Sequence, residues 1–169
     1  MIYKNEMFEL TDEFIDIGYM AEDIEAEDIE GKEILIKKAS PNRMIQIFLS
    51  FPNWDDFKEE IIAFDKFMNE AKVEIFTYLL FNEKIEIPKL KKIIPVFDVN
   101  EDFANMYGTK IVSSSLENKL TKALFLIGKD GAIYHIDMPD DLEKPIDMER
   151  IRVELNKVYQ SYTGVGCHG

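Results

Sequence analysis

Four carboxylates stand within six consecutive positions: Asp55, Asp56, Glu59 and Glu60. They open a stretch in which Phe57, Ile61, Phe64 and Met68 recur at helical spacing. Two carboxylates can divide acid and base roles when their surroundings separate their pKa values. Clustered oxygens can also hold a hard cation. The simpler reading is structural. Asp56 and Glu59 have the spacing of a capping box, in which acids accept hydrogen bonds from the free N–H groups of a first helical turn. All four acids are expected on one helix turn near solvent. No calcium-loop spacing occurs, so neither a metal nor a cofactor is assigned.

The chain has one cysteine, Cys167, beside His168 and among Gly164, Gly166 and Gly169. A thiolate can be oxidised and then reduced again. A glycine-rich tail, however, offers no fixed helix N-terminus to lower a thiol pKa. An ordinary surface thiol is the simpler reading of Cys167, with redox use the alternative. One cysteine cannot form an internal disulfide, which suits a reducing, cytoplasmic setting. His135 lies between Tyr134 and Ile136 in a strand pattern, and a half-buried or surface structural role is expected. Trp54 would line a small pocket or anchor a core.

These residues belong to a chain of 169 residues with a net charge of −13. That charge opposes nucleic acid and anionic lipid, which are bound through clustered Lys and Arg. Lys89, Lys91 and Lys92 form the one small basic cluster and read as a solvated face. The start, Met1 to Phe8, carries Asn5 and Glu6 where a signal peptide needs an apolar run. No uncharged stretch approaches the roughly 20 residues of a membrane span.

The elements that must position the acids follow from periodicity. Two short runs about Asn5-Glu6 predict a hairpin. Ala21-Glu22-Asp23-Ile24-Glu25 is repeated as Ala26-Glu27-Asp28-Ile29-Glu30. It reads as an exposed acidic loop or edge strand with Ile24 and Ile29 turned inward, and alternatively as a cation site. Strands are predicted at Glu33–Lys37, Met44–Phe51, Val73–Phe81, Ile93–Phe97, Lys122–Ile127 and Ala132–Asp137. Ser40-Pro41-Asn42 predicts a turn, and Pro95 predicts a sheet edge or strand end. Helices are expected after Asp56, over Asp98–Tyr107 with Gly108 closing it, and from Asp147, where Ile151, Leu155 and Val158 share a face. The order predicts one α/β domain over residues 1–163, with helices on both faces of a sheet, and a tail over 164–169.

Several strings in this order resemble the thiol peroxidases of the peroxiredoxin family. Ile17-Gly18-Tyr19-Met20-Ala21-Glu22-Asp23-Ile24 is similar to the family's entry segment Val-Gly-x-x-Ala-Pro-Asp-Phe. Phe103-Ala104-Asn105-Met106-Tyr107-Gly108 resembles a Phe-x-x-x-Tyr-Gly helix end. Lys122 to Ile127 with the Lys129-Asp130-Gly131 turn resembles an Arg-Ala-(apolar run)-Asp-x-x-Gly hairpin. The resemblance reaches to about Tyr159 and implies a thioredoxin-like mixed sheet with an N-terminal hairpin. It also implies a homodimer.

The family's motif is Pro-x-x-x-Thr-x-x-Cys. Counted from Pro52, Asp56 falls at the threonine and Glu59 at the cysteine; aligned on the helix, the cysteine position moves to about Phe57. Neither register supplies a thiol. The resolving cysteine, expected in a helix near Lys89 to Lys92, is also missing, and Lys122 stands where the resemblance implies an arginine. The expected function is therefore a non-catalytic, dimeric binding or regulatory protein. The alternative is a thiol-dependent oxidoreductase using Cys167.

Overall fold

The computed structural model describes residues 1–40, 44–71 and 74–162. The turn at Pro41-Asn42, the predicted strand start at Val73, and Cys167 and His168 of the tail lie outside them. A small hairpin comes first, β1 (Ile2–Tyr3) and β2 (Glu6–Met7), joined through Lys4 and Asn5, both at positive φ. Then follow β3 (Ile24–Glu27), β4 (Glu33–Ile36), β5 (Ile45–Ser50), α1 (Lys58–Glu70), β6 (Ile75–Phe81) and β7 (Ile94–Phe97). The chain continues through α2 (Asp102–Met106), β8 (Ala123–Ile127), β9 (Ile133–Asp137) and α3 (Met148–Tyr162).

Seven strands form one mixed sheet in the order β4-β3-β7-β6-β5-β8-β9. The centre is parallel, with β5 beside β6 and β6 beside β7, and both flanks are antiparallel. Every residue of β5 and β8 is buried, as their near-continuous apolar runs require. Alternation along β5 sends Ile45, Ile47 and Leu49 to one core and Phe48 to the other. The first core packs α1 (Ile61, Phe64, Met68) and α3 (Ile151, Leu155, Val158) on the sheet. The second packs Phe103, Ala104 and Tyr107 against Phe48 and Phe125. The helices thus cover both faces, as their apolar stripes predict.

Several expectations need correction. Ile24 is fully buried, but Ile29 is 59% exposed, and Ala26 is the second inward residue. β3 is not an edge strand, because β4 lies outside it. β7 is interior as well, yet only its Phe97 is bridged to β3, so Pro95 interrupts no ladder on that side. The helix expected from Asp98 begins at Asp102. Asp98 instead caps it, accepting from the N–H groups of Phe103 at 2.9 Å and Ala104 at 2.8 Å. Gly108 follows that helix at φ +67°, where an added Cβ would lie 2.3 Å from the Glu13 carbonyl oxygen.

Burial pushes the Asp98 carboxyl up to about 7, even though its two backbone hydrogen bonds pull the other way. An unfolded aspartate releases its proton near 3.8. Between these values the folded state holds the extra proton, so stability falls as pH rises through the window. Urea midpoints should drop between pH 5 and pH 8, with ~3 kcal/mol attributable to this group. Asp98→Asn should flatten that slope; an unchanged slope would remove Asp98 as its source.

Candidate functional site

The site lies where β5 hands the chain to α1. Phe51 and Pro52 leave the sheet, and a tight turn follows in which Asn53 Oδ1 accepts from the Asp56 N–H at 2.8 Å. The helix N-cap is Phe57, and it has no side-chain cap hydrogen bond. The capping box expected of Asp56 and Glu59 is therefore absent. Asp55 and Asp56 precede the helix, and only Glu59 and Glu60 lie in its first turn. The Asp56 carboxylate instead accepts from Asn53 Nδ2 at 3.3 Å and sits 3.6 Å from Lys4 Nζ. Hydrogen bonds from Asn53 and Tyr3 and the Lys4 charge hold its pKa below the usual carboxylate value, against burial, which raises it.

Phe57 places an aromatic ring at the very start of α1. It is 5% exposed, and its ring lies 5.3 Å from Phe51 and 5.4 Å from Tyr3. Tyr3 reaches it because the hairpin is fastened elsewhere. Ile2 donates to the Asp140 carbonyl at 2.7 Å, and Leu142 donates to the Ile2 carbonyl at 3.0 Å. The hairpin thus lies across the start of α1.

Lys122 lies beneath this aromatic cluster and is 1% exposed. Its ammonium stands 5.2 Å from the Phe57 ring centre and 5.7 Å from that of Phe51. It donates to Glu60 Oε1 and to the Lys144 carbonyl at 2.8 Å. The other Glu60 oxygen accepts the Ile146 N–H at 2.8 Å. A buried ammonium requires such a partner, because an isolated buried charge is strongly disfavoured. Glu60 is thus no solvated acid: it neutralises Lys122 and ties α1 to the loop before α3. It follows Phe57 by three positions and precedes Phe64 by four, within the buried stripe, and that spacing is a signal for its inward position.

The other predicted residues are dispersed. Among the described residues no group of three His, Cys, Asp or Glu could hold a metal ion. The acidic repeat is occupied structurally: Asp28 Oδ1 accepts from Glu30 and Lys32, and Asp23 accepts from Lys38. His135 is buried on β9, and desolvation lowers its pKa. Trp54 packs against the first core and lines a hollow of about 120 Å³ with Phe81, Asn82 and Ile85. Residues 82–93 contain no helix, so the element implied near Lys89 to Lys92 is absent together with its cysteine. Above Phe57 an open cleft of about 380 Å³ remains, bounded by Tyr3, Lys4, Asp56, Glu59 and Glu143. Sequence reasoning missed Tyr3, Lys4 and Glu143, because only the folded hairpin brings them together.

No family model and no curated protein matches this chain. Among solved structures, a peroxiredoxin-like protein from Aquifex aeolicus superposes with a TM-score of 0.78 at 16% identity, over 94% of each chain. A thiol peroxidase from Chromobacterium violaceum gives 0.78 at 14% identity, over 92% of this chain and 94% of its own. The mitochondrial 2-Cys peroxiredoxin from Plasmodium falciparum gives 0.68 at 16% identity, over 88% of this chain and 97% of its own. With the sheet order and flanking helices above, these likenesses establish that the chain has the thioredoxin-like fold of the peroxiredoxins and thiol peroxidases.

Proposed function

We propose that this protein is a thiol-peroxidase-like binding or regulatory module that does not turn over peroxide. The observation that carries this reading is the start of α1. Phe57 is packed there between Tyr3 and Phe51, and the cation below it is neutralised by Glu60. Peroxide reduction needs a sulfur that attacks oxygen and is itself oxidised. Phenyl and carboxylate groups do not cycle in that way. The Lys122 charge, engaged by Glu60, is also not free to polarise a peroxide.

The protein acts as a single folded domain over residues 1–163, as a homodimer in the cytoplasm. The dimer is supported by the thiol-peroxidase fold, and the location by the use of one cysteine in the whole chain. Among the described residues no helix is long and apolar enough to cross a membrane. Light scattering at micromolar concentration should return twice the monomer mass of 19.7 kDa.

The test is hydrogen peroxide consumption with a thiol reductant, for the wild type and for Cys167→Ser. Both should match the rate of the reductant alone. Enzyme-like turnover that survives Cys167→Ser would refute the proposal. Turnover abolished by it would instead establish the alternative, an oxidoreductase working through Cys167.

A further inference from the structure

The seven-stranded sheet has two edges, and among the described residues the chain covers only one of them. Along β9, Gly18 donates to the Ile133 carbonyl at 2.8 Å, Ile133 donates to the Tyr19 carbonyl at 2.9 Å, and Ala21 donates to the Gly131 carbonyl at 2.8 Å. At the opposite edge, β4 pairs with β3 alone. Free edge amides recruit another strand, so edge strands are usually blunted by proline, bulges or charge. Between its ends β4 carries neither proline nor charge, and its register on β3 is unbroken. Its middle is Ile34, Leu35 and Ile36, with Leu35 53% exposed.

The direction of the free amides follows from the partner strand. Leu35 stands opposite Glu25, whose N–H turns away from β4 and donates to Asp102 Oδ2 at 2.9 Å. In an antiparallel pair, facing residues either exchange both backbone hydrogen bonds or turn both groups outward. Leu35 therefore presents its N–H and C=O to the open side, and alternation gives Glu33 and Lys37 the same direction. The Lys37 carbonyl agrees with this, because it accepts from Gln46 Nε2 of β5, at 2.9 Å, and not from β3. An open hollow of about 310 Å³ lies beside Leu35, Ile36 and Lys37.

The segment Glu33-Ile34-Leu35-Ile36-Lys37 is complementary to a reversed copy of itself. A two-fold axis at Leu35 sets each Leu35 against its own copy, where the two exchange a pair of backbone hydrogen bonds. The same axis sets Ile34 against Ile36 and, twice over, Glu33 against Lys37. Both charged residues are exposed, and neither is in an ion pair among the described residues. The Lys37 N–H of one copy meets the Glu33 carbonyl of the other, while the Lys37 carbonyl stays with Gln46. Beyond the strand ends Lys32 opposes Lys38, so the ladder stops at these five positions.

We infer that β4 is a self-association surface, through which two copies of the chain join antiparallel about Leu35 into one continuous sheet. The inference rests on the homodimer reading above and supplies its contact. Such a contact is isologous, each copy offering the same strand to the other. Five paired positions make a small contact, so single charges along it weigh heavily.

The test is sedimentation velocity of the full-length protein over a concentration series. Glu33→Lys and Lys37→Glu should each weaken dimerisation by roughly tenfold or more, because each puts like charges across the strands twice. The two reversals move the net charge in opposite directions, so a loss shared by both is not a general repulsion. Mixing the two variants should restore a heterodimer, and combining them in one chain should restore the homodimer. In the wild type, hydrogen exchange at the Leu35 amide should slow as concentration rises. Both positions are exposed, and circular dichroism verifies that each variant is folded. Variants that stay dimeric, or a mixture that does not reassociate, would overturn β4 as the contact and leave the homodimer standing. A wild type that sediments as a monomer throughout would refute the homodimer, and this contact with it.

Discussion

Glu60→Ala should lose roughly 3–5 kcal/mol of stability, because it removes the counter-ion of a lysine that remains buried. Lys122 is 1% exposed and its Glu60 partner 17% exposed, so little water is at hand to replace the carboxylate. The same change leaves the Ile146 N–H without its acceptor. Removing both charges should be far milder. Glu60→Leu combined with Lys122→Met replaces the pair with apolar groups beside Phe51 and Phe57, and such replacements are often neutral or stabilising. Urea denaturation of Glu60→Leu, Lys122→Met and the double variant gives the coupling directly. A double variant as unstable as Glu60→Ala would mean that the pair itself, not the orphaned charge, sets the penalty. A Glu60→Ala variant within about 1 kcal/mol of wild type would show that water replaces the carboxylate beside Lys122.

Asp65 should be at least as sensitive. It lies on α1 and is 4% exposed. Its carboxylate accepts the Lys91 and Lys92 N–H groups at 2.8 Å each and the Ile93 N–H at 3.0 Å. One side chain therefore satisfies three consecutive amides of the segment entering β7. Asp65→Ala should cost roughly 4–6 kcal/mol, from three lost hydrogen bonds at about 1–3 kcal/mol apiece with partial recovery through water. Asp65→Asn keeps one acceptor oxygen and should fall in between. Hydrogen exchange at residues 91 to 93 separates this cause from general destabilisation. Those amides should lose protection first, and uniform loss across the chain would contradict the local role.

The strands and the two long helices were legible because their burial is imposed by pattern. Met44 to Phe51 is apolar almost throughout, and only a strand covered on both faces uses such a run. The Ile151, Leu155 and Val158 stripe marked α3, and Asp147 caps it through the Arg150 N–H at 3.0 Å. Errors arose at a helix start and at the repeat. Asp98 was read as the first residue of a helix, but it caps that helix from outside. Ile29 was placed inward because it repeats Ile24. Ile29, however, lies past the end of β3, in the turn closed by the Gly31 N–H on the Asp28 carbonyl, where strand alternation no longer directs side chains. Ala26, two residues on from Ile24, shares its face.

The candidate site was half legible. The lack of sulfur at Asp56, Phe57 and Glu59 is plain in the sequence, as is the lysine at 122. What replaces the chemistry is not plain. The pairing of Glu60 with Lys122 joins residues 62 positions apart. The Tyr3 ring arrives only because the hairpin is held to Asp140 and Leu142. No local propensity reports contacts of that separation.

The packing of Phe57 also sets what a smaller side chain there would do. A cysteine placed there would leave a void between Tyr3 and Phe51, at a penalty of roughly 3 kcal/mol for a lost aromatic ring, and its sulfur would lie near an ammonium already committed to Glu60. A single smaller side chain at this position thus loosens the hairpin, the end of β5 and the start of α1 together.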